Sequence, residues 1–495
     1  MGFMRRIVRY IRMHGAAYTF RRGTEILAER AFHLYDRRAR RMMPCEDELA
    51  FQRANQPDAG LISIAVPVYN TRPAFLRELV ESFRAQTYAR WEAVLYDGGS
   101  TLAESIAAMD AIDDARVTVV HSDRNEGISG NTNRAVDQCR GEYIALCDHD
   151  DVLLPDALWR TARAIVENRP DLIYSDEDKL TEDGRFYTDP HRKPDFCPDN
   201  LRSGNYICHL TVIRRAVFLQ VGGLHQDFDG SQDHDLVLRI SEVTDRIYHL
   251  PHMLYHWRTV GTSMSHQQLA RCQDAAARAV TEHIARIGYP GRCTVEDGVL
   301  RLRYDVPEAW KISVIRLADD AGYAEINRAA ARADGSMLLF IRESVVACSP
   351  EFEKELLMYA QREDVGAVTP MLVDRWRHVV HAGYTLKDGR IGSRGKGLHQ
   401  HAGGWHGMNR TSHNVMAVSS LCWMIRKDHF IPFDETWQGE TGMADWCLRM
   451  REQGLLCVYT PHAAAVSGRK PNFDAEEAGR LYREHPGLTD PCGTA

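Results

Sequence analysis

Four short apolar runs recur between residues 61 and 147: Leu61 to Val66, Trp91 to Tyr96, Val117 to His121 and Tyr143 to Cys147. After the first, Phe75, Leu76, Leu79, Val80 and Phe83 have helical spacing. Strands alternating with helices predict a parallel, doubly wound sheet, because parallel neighbours need a crossover and a helix supplies it. Each run stops at a polar turn: Pro67-Val68-Tyr69-Asn70, Asp97-Gly98-Gly99-Ser100, Asp123-Arg124-Asn125-Glu126-Gly127 and Asp148-His149-Asp150-Asp151. In such a sheet these turns share one edge, outside the carboxyl ends of the strands, where ligands bind.

The last turn says most about chemistry. Its three carboxylates repel one another unless a cation sits between them. Oxygen ligands suit Mg²⁺ or Mn²⁺, which also holds substrate phosphates. Asp97 is placed to accept hydrogen bonds from a nucleobase or ribose, and the adjoining glycines let a ligand approach closely. The plainer reading of each turn is ordinary turn and cap chemistry. Asp233 precedes the helical run Leu236, Val237, Leu238, Ile240. A helix N-terminus favours an ionised carboxylate, as a general base requires; the plainer reading is a helix cap.

The 495 residues imply several domains, and 44% hydrophobic with 26% charged residues describes a chain with ample core. A net charge of −7 argues against a nucleic-acid partner. That charge is uneven: residues 1–43 carry eleven arginines against Glu25, Glu29 and Asp36, a local excess of +8 that leaves −15 for the rest. Within residues 1–45, Phe3, Met4, Ile7, Val8 and Ile11 interleave with Arg5, Arg6, Arg9 and Arg12. This spacing fits an interfacial helix on an anionic membrane, or a helix packed on its own domain with a basic outer face. Residues 46–60 are polar and read as a linker. The twelve cysteines form no Cys-x-x-Cys pair, so neither a zinc ribbon nor a disulfide framework is expected. With no apolar run of eighteen and no secretory signal, the expected place is the cytoplasm, peripheral at the inner face of the membrane.

Val66-Pro67-Val68-Tyr69-Asn70, Tyr96-Asp97-Gly98-Gly99-Ser100, Asn125-Glu126-Gly127-Ile128-Ser129 with Asn133, and Asp148-His149-Asp150-Asp151 resemble family-2 glycosyltransferases, which have the GT-A fold. The resemblance runs on through Tyr174-Ser175-Asp176-Glu177-Asp178, Asn205-Tyr206-Ile207-Cys208-His209, Gln232-Asp233-His234-Asp235 and Tyr255-His256-Trp257-Arg258. The combination is similar to bacterial polysaccharide enzymes of the rhamnosyltransferase type and covers roughly residues 60–266. It implies that Pro67, Tyr69, Asp97, Asn125, Gly127, Asn133 and Asp148 bind a nucleotide sugar, that Asp148 and Asp150 hold Mn²⁺ or Mg²⁺, and that Asp233 is the base. Gln232, Asp233 and Trp257 then face the acceptor, a bacterial glycan carried on a lipid. Two departures stand out. The family's second motif ends in two acids, and here the second is Gly98. The family's histidine after Arg258 is replaced by Thr259-Val260-Gly261-Thr262-Ser263, leaving His256 or His266 as substitutes.

The second half repeats the first. Asn133-Arg134-Ala135 and Gly141 recur as Asn327-Arg328-Ala329 and Gly335, and Asp235 and Arg239 recur as Asp445 and Arg449. The chemistry does not recur: Asp148-His149-Asp150 becomes Arg342-Glu343-Ser344, and Asp233 becomes Met443. The expected plan is a basic helical segment and linker at 1–57, a GT-A α/β domain at 58–290, a connection at 291–311, a truncated GT-A-like unit at 312–475 and a tail at 476–495. Trp376, His378, His381, His399, His401, Trp405 and His406 of the second unit would form a glycan-binding face, or the unit is a scaffold. The expected activity is inverting, metal-dependent transfer of a sugar from a nucleotide sugar to a glycan hydroxyl. The alternatives are a non-catalytic carbohydrate- or membrane-binding subunit of the same fold, and a sugar nucleotidyltransferase.

Overall fold

The computed structural model describes residues 33–260, 268–387, 390–471, 473, 475–490 and 492–493, with the isolated positions 11, 19 and 23. Most of the basic stretch 1–32, and residues 261–267 with His266, lie outside the described residues. Among those described, the chain forms two compact units, one of residues 33–196 and 204–283, the other of 197–203 and 284–493.

In the first unit the strands are β1 (Ile62–Val68), β2 (Trp91–Asp97), β3 (Val117–His121), β4 (Tyr143–Leu146), β5 (Val152–Leu153), β6 (Leu172–Thr181), β7 (Tyr187–His191), β8 (Thr211–Arg214) and β9 (Ile247–Thr259). They make one sheet in the order β3-β2-β1-β4-β8-β6-β9-β5, with β7 beside β6. The β3-β2-β1-β4 half is parallel, as the run spacing predicts. Beyond it β8 enters antiparallel to both β4 and β6. Every residue of β1 and β2 is buried, as expected of a parallel sheet covered on both faces. The helix Pro73–Arg84, with proline in its first turn, buries Phe75, Leu76, Leu79, Val80 and Phe83. Gly141 is required by close approach: a Cβ there would lie 2.6 Å from the Leu61 carbonyl oxygen, while its N–H donates to Ser63 Oγ at 2.8 Å.

The segment read as a linker is partly helical. Glu46–Ala54 forms a helix whose first turn carries Glu46, Asp47 and Glu48, the charges a helix N-terminus favours, and it buries Leu49 and Gln52. Of the basic stretch, the described helix Leu34–Met42 packs on its own unit. Tyr35 Oη donates to Asp178 Oδ2 at 2.8 Å, and Asp36 Oδ1 accepts the Tyr187 N–H at 3.0 Å.

The second unit contains a hairpin, β10 (Gly291–Glu296) with β11 (Val299–Tyr304). Its main strands are β12 (Ile312–Leu317), β13 (Met337–Arg342), β14 (Val345–Ala347) and β15 (Val365–Val373). Then come β16 (Val379–His381), the hairpin β17 (Tyr384–Lys387) and β18 (Arg390–Ser393), β19 (His413–Val415), β20 (Cys422–Arg426) and β21 (Leu456–Ser467). The sheet order is β12-β13-β20-β15-β21-β14. This is the order β1-β4-β8-β6-β9-β5 over again, with the same parallel and antiparallel pairings. Between β12 and β13 stands one helix, Tyr323–Arg332, where the first unit also has β2 and β3.

The repeat extends to side chains. Asn133 clamps Leu224 by giving and accepting one backbone hydrogen bond, at 2.8 and 2.9 Å, and Asn327 clamps Phe433 likewise at 3.0 and 2.9 Å. Arg239 Nε donates to Asp235 Oδ2 at 3.0 Å, and Arg449 Nε to Asp445 Oδ2 at 2.9 Å. The Gly335 N–H donates to Ser313 Oγ at 2.9 Å, as Gly141 does to Ser63.

Candidate functional site

A cleft opens at the carboxyl end of β1 and β4. Pro67 and Ile128 line it together with Asp148, Asn205, His209 and Asp233. These residues come from five separate stretches of sequence that only the fold brings together.

On one side stands Asp233, in the first turn of the helix Gln232–Ile240. Its Oδ1 accepts the His234 N–H at 2.9 Å, and its Oδ2 accepts Asn205 Nδ2 at 2.7 Å. Donors on both oxygens fix the orientation of the carboxylate. Gln232 lines the same cleft, its Oε1 turned back to the Gly230 N–H at 2.8 Å.

On the other side lies the acidic turn. Asp148, Asp151 and His209 present ligand atoms all within 4.8 Å of one another. His209 Nε2 is 3.7 Å from Asp148 Oδ2, and the imidazole is stacked on Tyr255 with centroids 4.7 Å apart. Asp151 is fully buried; Tyr255 Oη donates to its Oδ2 at 2.5 Å and the Arg258 N–H to its Oδ1 at 2.7 Å. Burial, reinforced by Asp150 and Asp148, raises the Asp151 pKa well above the usual carboxylate range. Burial likewise raises that of Asp150. Acids that resist ionising together are relieved by a bound cation, so this set of carboxylate oxygens and one imidazole fits Mn²⁺ or Mg²⁺. The structure thus gathers Asp148, Asp151 and His209, where the sequence pointed to Asp148, Asp150 and His256. His256 is 3% exposed, its Nδ1 is 2.5 Å from Asp178 Oδ1, and its ring packs on Tyr187. Asp150 is held through its backbone, its carbonyl accepting Arg258 Nε at 2.7 Å. Trp257 is half-buried, with Lys179 Nζ 5.9 Å from its ring and His209 at its edge.

The residues assigned to the nucleotide divide. Tyr69 is 42% exposed at the end of β1. Asp97 is buried, and its two oxygens are engaged by the Ser100 N–H at 2.9 Å and by His121 Nδ1 at 2.8 Å. The Asp97 carboxylate, with Asp110 on the far nitrogen, raises the His121 pKa. At Gly98 a Cβ would come 2.2 Å from Asn131 Nδ2, so the Asn131 amide fills the space of the missing acid. Asn125 Oδ1 accepts the Gly127 N–H at 2.9 Å and Asn131 Nδ2 at 3.0 Å, and Gly127 has φ +76°. Asn133 is spent on its clamp to Leu224. Asp151 entered the sequence reading only as one of three carboxylates in the acidic turn, Asn205 and His209 were given no role within their motif, and Asn131 was not singled out. His209 stood in a motif with no acid beside it, and only the antiparallel pairing of β8 with β4 carries it to Asp148.

In the second unit, Arg342 stands where Asp148 stands in the first. It is buried, and its Nη1 donates to the carbonyls of Ala318 and Ala321 at 2.7 and 2.9 Å. Met443 is fully buried. Of the aromatic face, Trp376 is 64% exposed and His378 packs edge-on against His399. His381 does not belong to it: β16 carries it into the core, and burial pushes its pKa down to about 3. The side chains of Trp405 and His406 lie outside those described.

Residues 63–222 match the family model described as glycosyl transferase family 2. The chain is 33% identical over 88% of its length to the uncharacterized protein y4gI of Sinorhizobium fredii. It is 32% identical over 82% of its length to the O-antigen biosynthesis protein RfbC of Myxococcus xanthus. It spans 56% and 37% of the lengths of these two relatives. Among solved structures, S. aureus TarS 1-349 in complex with UDP aligns over 45% of this chain and 72% of that one, with 19% identity and a TM-score of 0.35. No helix among the described residues is long and apolar enough to cross a membrane. By this match the domain at residues 63–222 belongs to glycosyl transferase family 2.

Proposed function

We propose that the chain transfers a sugar, with inversion, from a nucleotide sugar to a hydroxyl of a bacterial glycan, lipid-linked and of the O-antigen type. The observation that carries this reading is that Asp233 and the Asp148–His209 pair face one cleft. Asp233 takes the proton of the acceptor hydroxyl. The acceptor oxygen attacks the anomeric carbon from the face opposite the diphosphate. The bond from that carbon to the diphosphate oxygen breaks, and the nucleoside diphosphate leaves with the electron pair. Asn205 and the His234 N–H keep Asp233 oriented before the transfer. Asp148 and His209, with Asp151 behind them, would hold Mn²⁺ or Mg²⁺, which when bound neutralises charge on the departing diphosphate.

A relative named for O-antigen biosynthesis supports the choice of acceptor. So does an Escherichia coli chondroitin synthase, 28% identical over 46% of this chain. The +8 head, with Arg37, Arg38 and Arg41 exposed on the helix Leu34–Met42, supports a peripheral contact with anionic lipid on the cytoplasmic side. The test is a panel of nucleotide sugars with Mn²⁺ or Mg²⁺, read as nucleoside diphosphate release. Pyrophosphate release instead would indicate a nucleotidyltransferase. No release from any donor, with a polysaccharide acceptor present, would remove the transferase reading.

A further inference from the structure

We propose that the buried pair Glu177–Lys193 is a positioning device that aligns the two sides of this cleft; the inference rests on the proposed transferase reading. Lys193 has no exposed side-chain area and Glu177 is 3% exposed. An ammonium has three N–H donors, and all three are engaged. They go to Glu177 Oε2 at 3.2 Å and to the carbonyls of Ile207 and His209, each at 2.5 Å. Glu177 Oε2 also accepts the His209 N–H at 2.9 Å. The pair therefore grips the segment 205–209 from inside the unit. One end of that segment is Asn205, which donates to Asp233; the other is His209, which faces Asp148. Between them Cys208 has φ +38°, a conformation that side chains disfavour, so the segment holds a shape it would not adopt unaided.

A buried ion pair is poor value for stability, because apolar residues of the same volume do as well or better. What this pair does that apolar residues cannot is fix two specific carbonyls. It sets where Asn205 and His209 stand, and through Asn205 where the Asp233 carboxylate points. Misplacement by about 1 Å costs on the order of 10²-fold in rate.

The experiment compares three variants of the full chain with wild type: Lys193→Met, the double variant Glu177→Gln with Lys193→Met, and Asn205→Ala. Each is assayed for kcat and donor KM on whichever donor of the panel wild type turns over, and for its thermal midpoint. Lys193→Met alone strands a buried carboxylate and is expected to lower both midpoint and kcat. The double variant removes the stranded charge but leaves the Ile207 and His209 carbonyls without their donor, so its midpoint should recover in part, above that of Lys193→Met and below wild type, while kcat stays down about 10²-fold. Asn205→Ala, at the cleft wall, should lower the midpoint by only a few degrees, keep donor KM and lose at least about 10-fold in kcat. If the double variant regains kcat with its midpoint, the pair is structural and the inference falls. Wild-type kcat in Asn205→Ala also overturns it, and that variant decides should the others fail to fold. A wild type that releases no nucleoside diphosphate defeats the transferase reading itself, and this inference with it.

Discussion

Replacing Asp233 by asparagine tests the centre of the proposed chemistry with little change of shape. An asparagine cannot take the acceptor proton. Loss of a general base lowers turnover by about 10²–10⁴-fold, or about 2.7–5.5 kcal/mol of barrier. The structure bounds the side effects. Asp233 accepts two hydrogen bonds, one on each oxygen, from Asn205 and from the His234 N–H. An asparagine offers one oxygen, so one of these donors faces an amide NH₂ and loses its acceptor. That costs about 1 kcal/mol, or a thermal shift of about 2–4 °C for a unit of this size. Nothing on the donor side of the cleft is touched, so donor affinity should match wild type. The assay is steady-state nucleoside diphosphate release with varied acceptor, alongside calorimetric titration of donor and a thermal melt. Turnover within about five-fold of wild type, from a protein that melts normally, would show that the base lies elsewhere.

Three further outcomes are expected. His209→Ala should weaken metal-dependent donor binding by at least about 10-fold, whereas His256→Ala should spare it and lower stability by leaving the buried Asp178 without its imidazole; calorimetry with and without Mn²⁺ giving the reverse pattern would move the metal site to His256. Burial holds His381 and His413 near pKa 3, below the ordinary 6.5, so the unfolded chain takes up these protons first. Their contribution is complete above about pH 6.5 and is lost toward pH 3, at up to about 1.4 kcal/mol per pH unit each; denaturant midpoints that do not fall between pH 7 and 5 would contradict this. Arg342→Asp with Ser344→Asp should create no transferase activity and should destabilise the second unit by about 2–4 kcal/mol, because the Ala318 and Ala321 carbonyls lose their donor; a midpoint unchanged in a melt would refute that role for Arg342.

The parallel character of the first half was legible because parallel strands give continuous apolar runs, and their turns share one edge. Joining Asp233 to the site of Asp148 rested on the resemblance of its motif, since a helix start alone reads equally as a cap. What stayed hidden depends on partners distant in sequence. Asp97 reads as a free acceptor until β3 brings His121 against it. His256 reads as a ligand until β6, its neighbour in the sheet, sets Asp178 beside it. His209 reads as an isolated histidine, because the crossing of β8 beside β4 leaves no local trace. The helix Glu46–Ala54 was missed because its apolar content is small and its polar Gln52 is what it buries.

The clamp that Asn133 makes on Leu224, and Asn327 on Phe433, has a use beyond either unit. A single chain holds two solutions to one architecture, of which one has kept the carboxylates and the other has not. Subtracting the second from the first separates what folding demands from what reaction demands. The asparagine clamp, the aspartate–arginine pair and the crowded glycine fall on the folding side. Asp148 and Asp233, which the second copy gave up, fall on the other. The protein thus carries its own control experiment, and any residue of the first unit can be weighed by what occupies its place in the second.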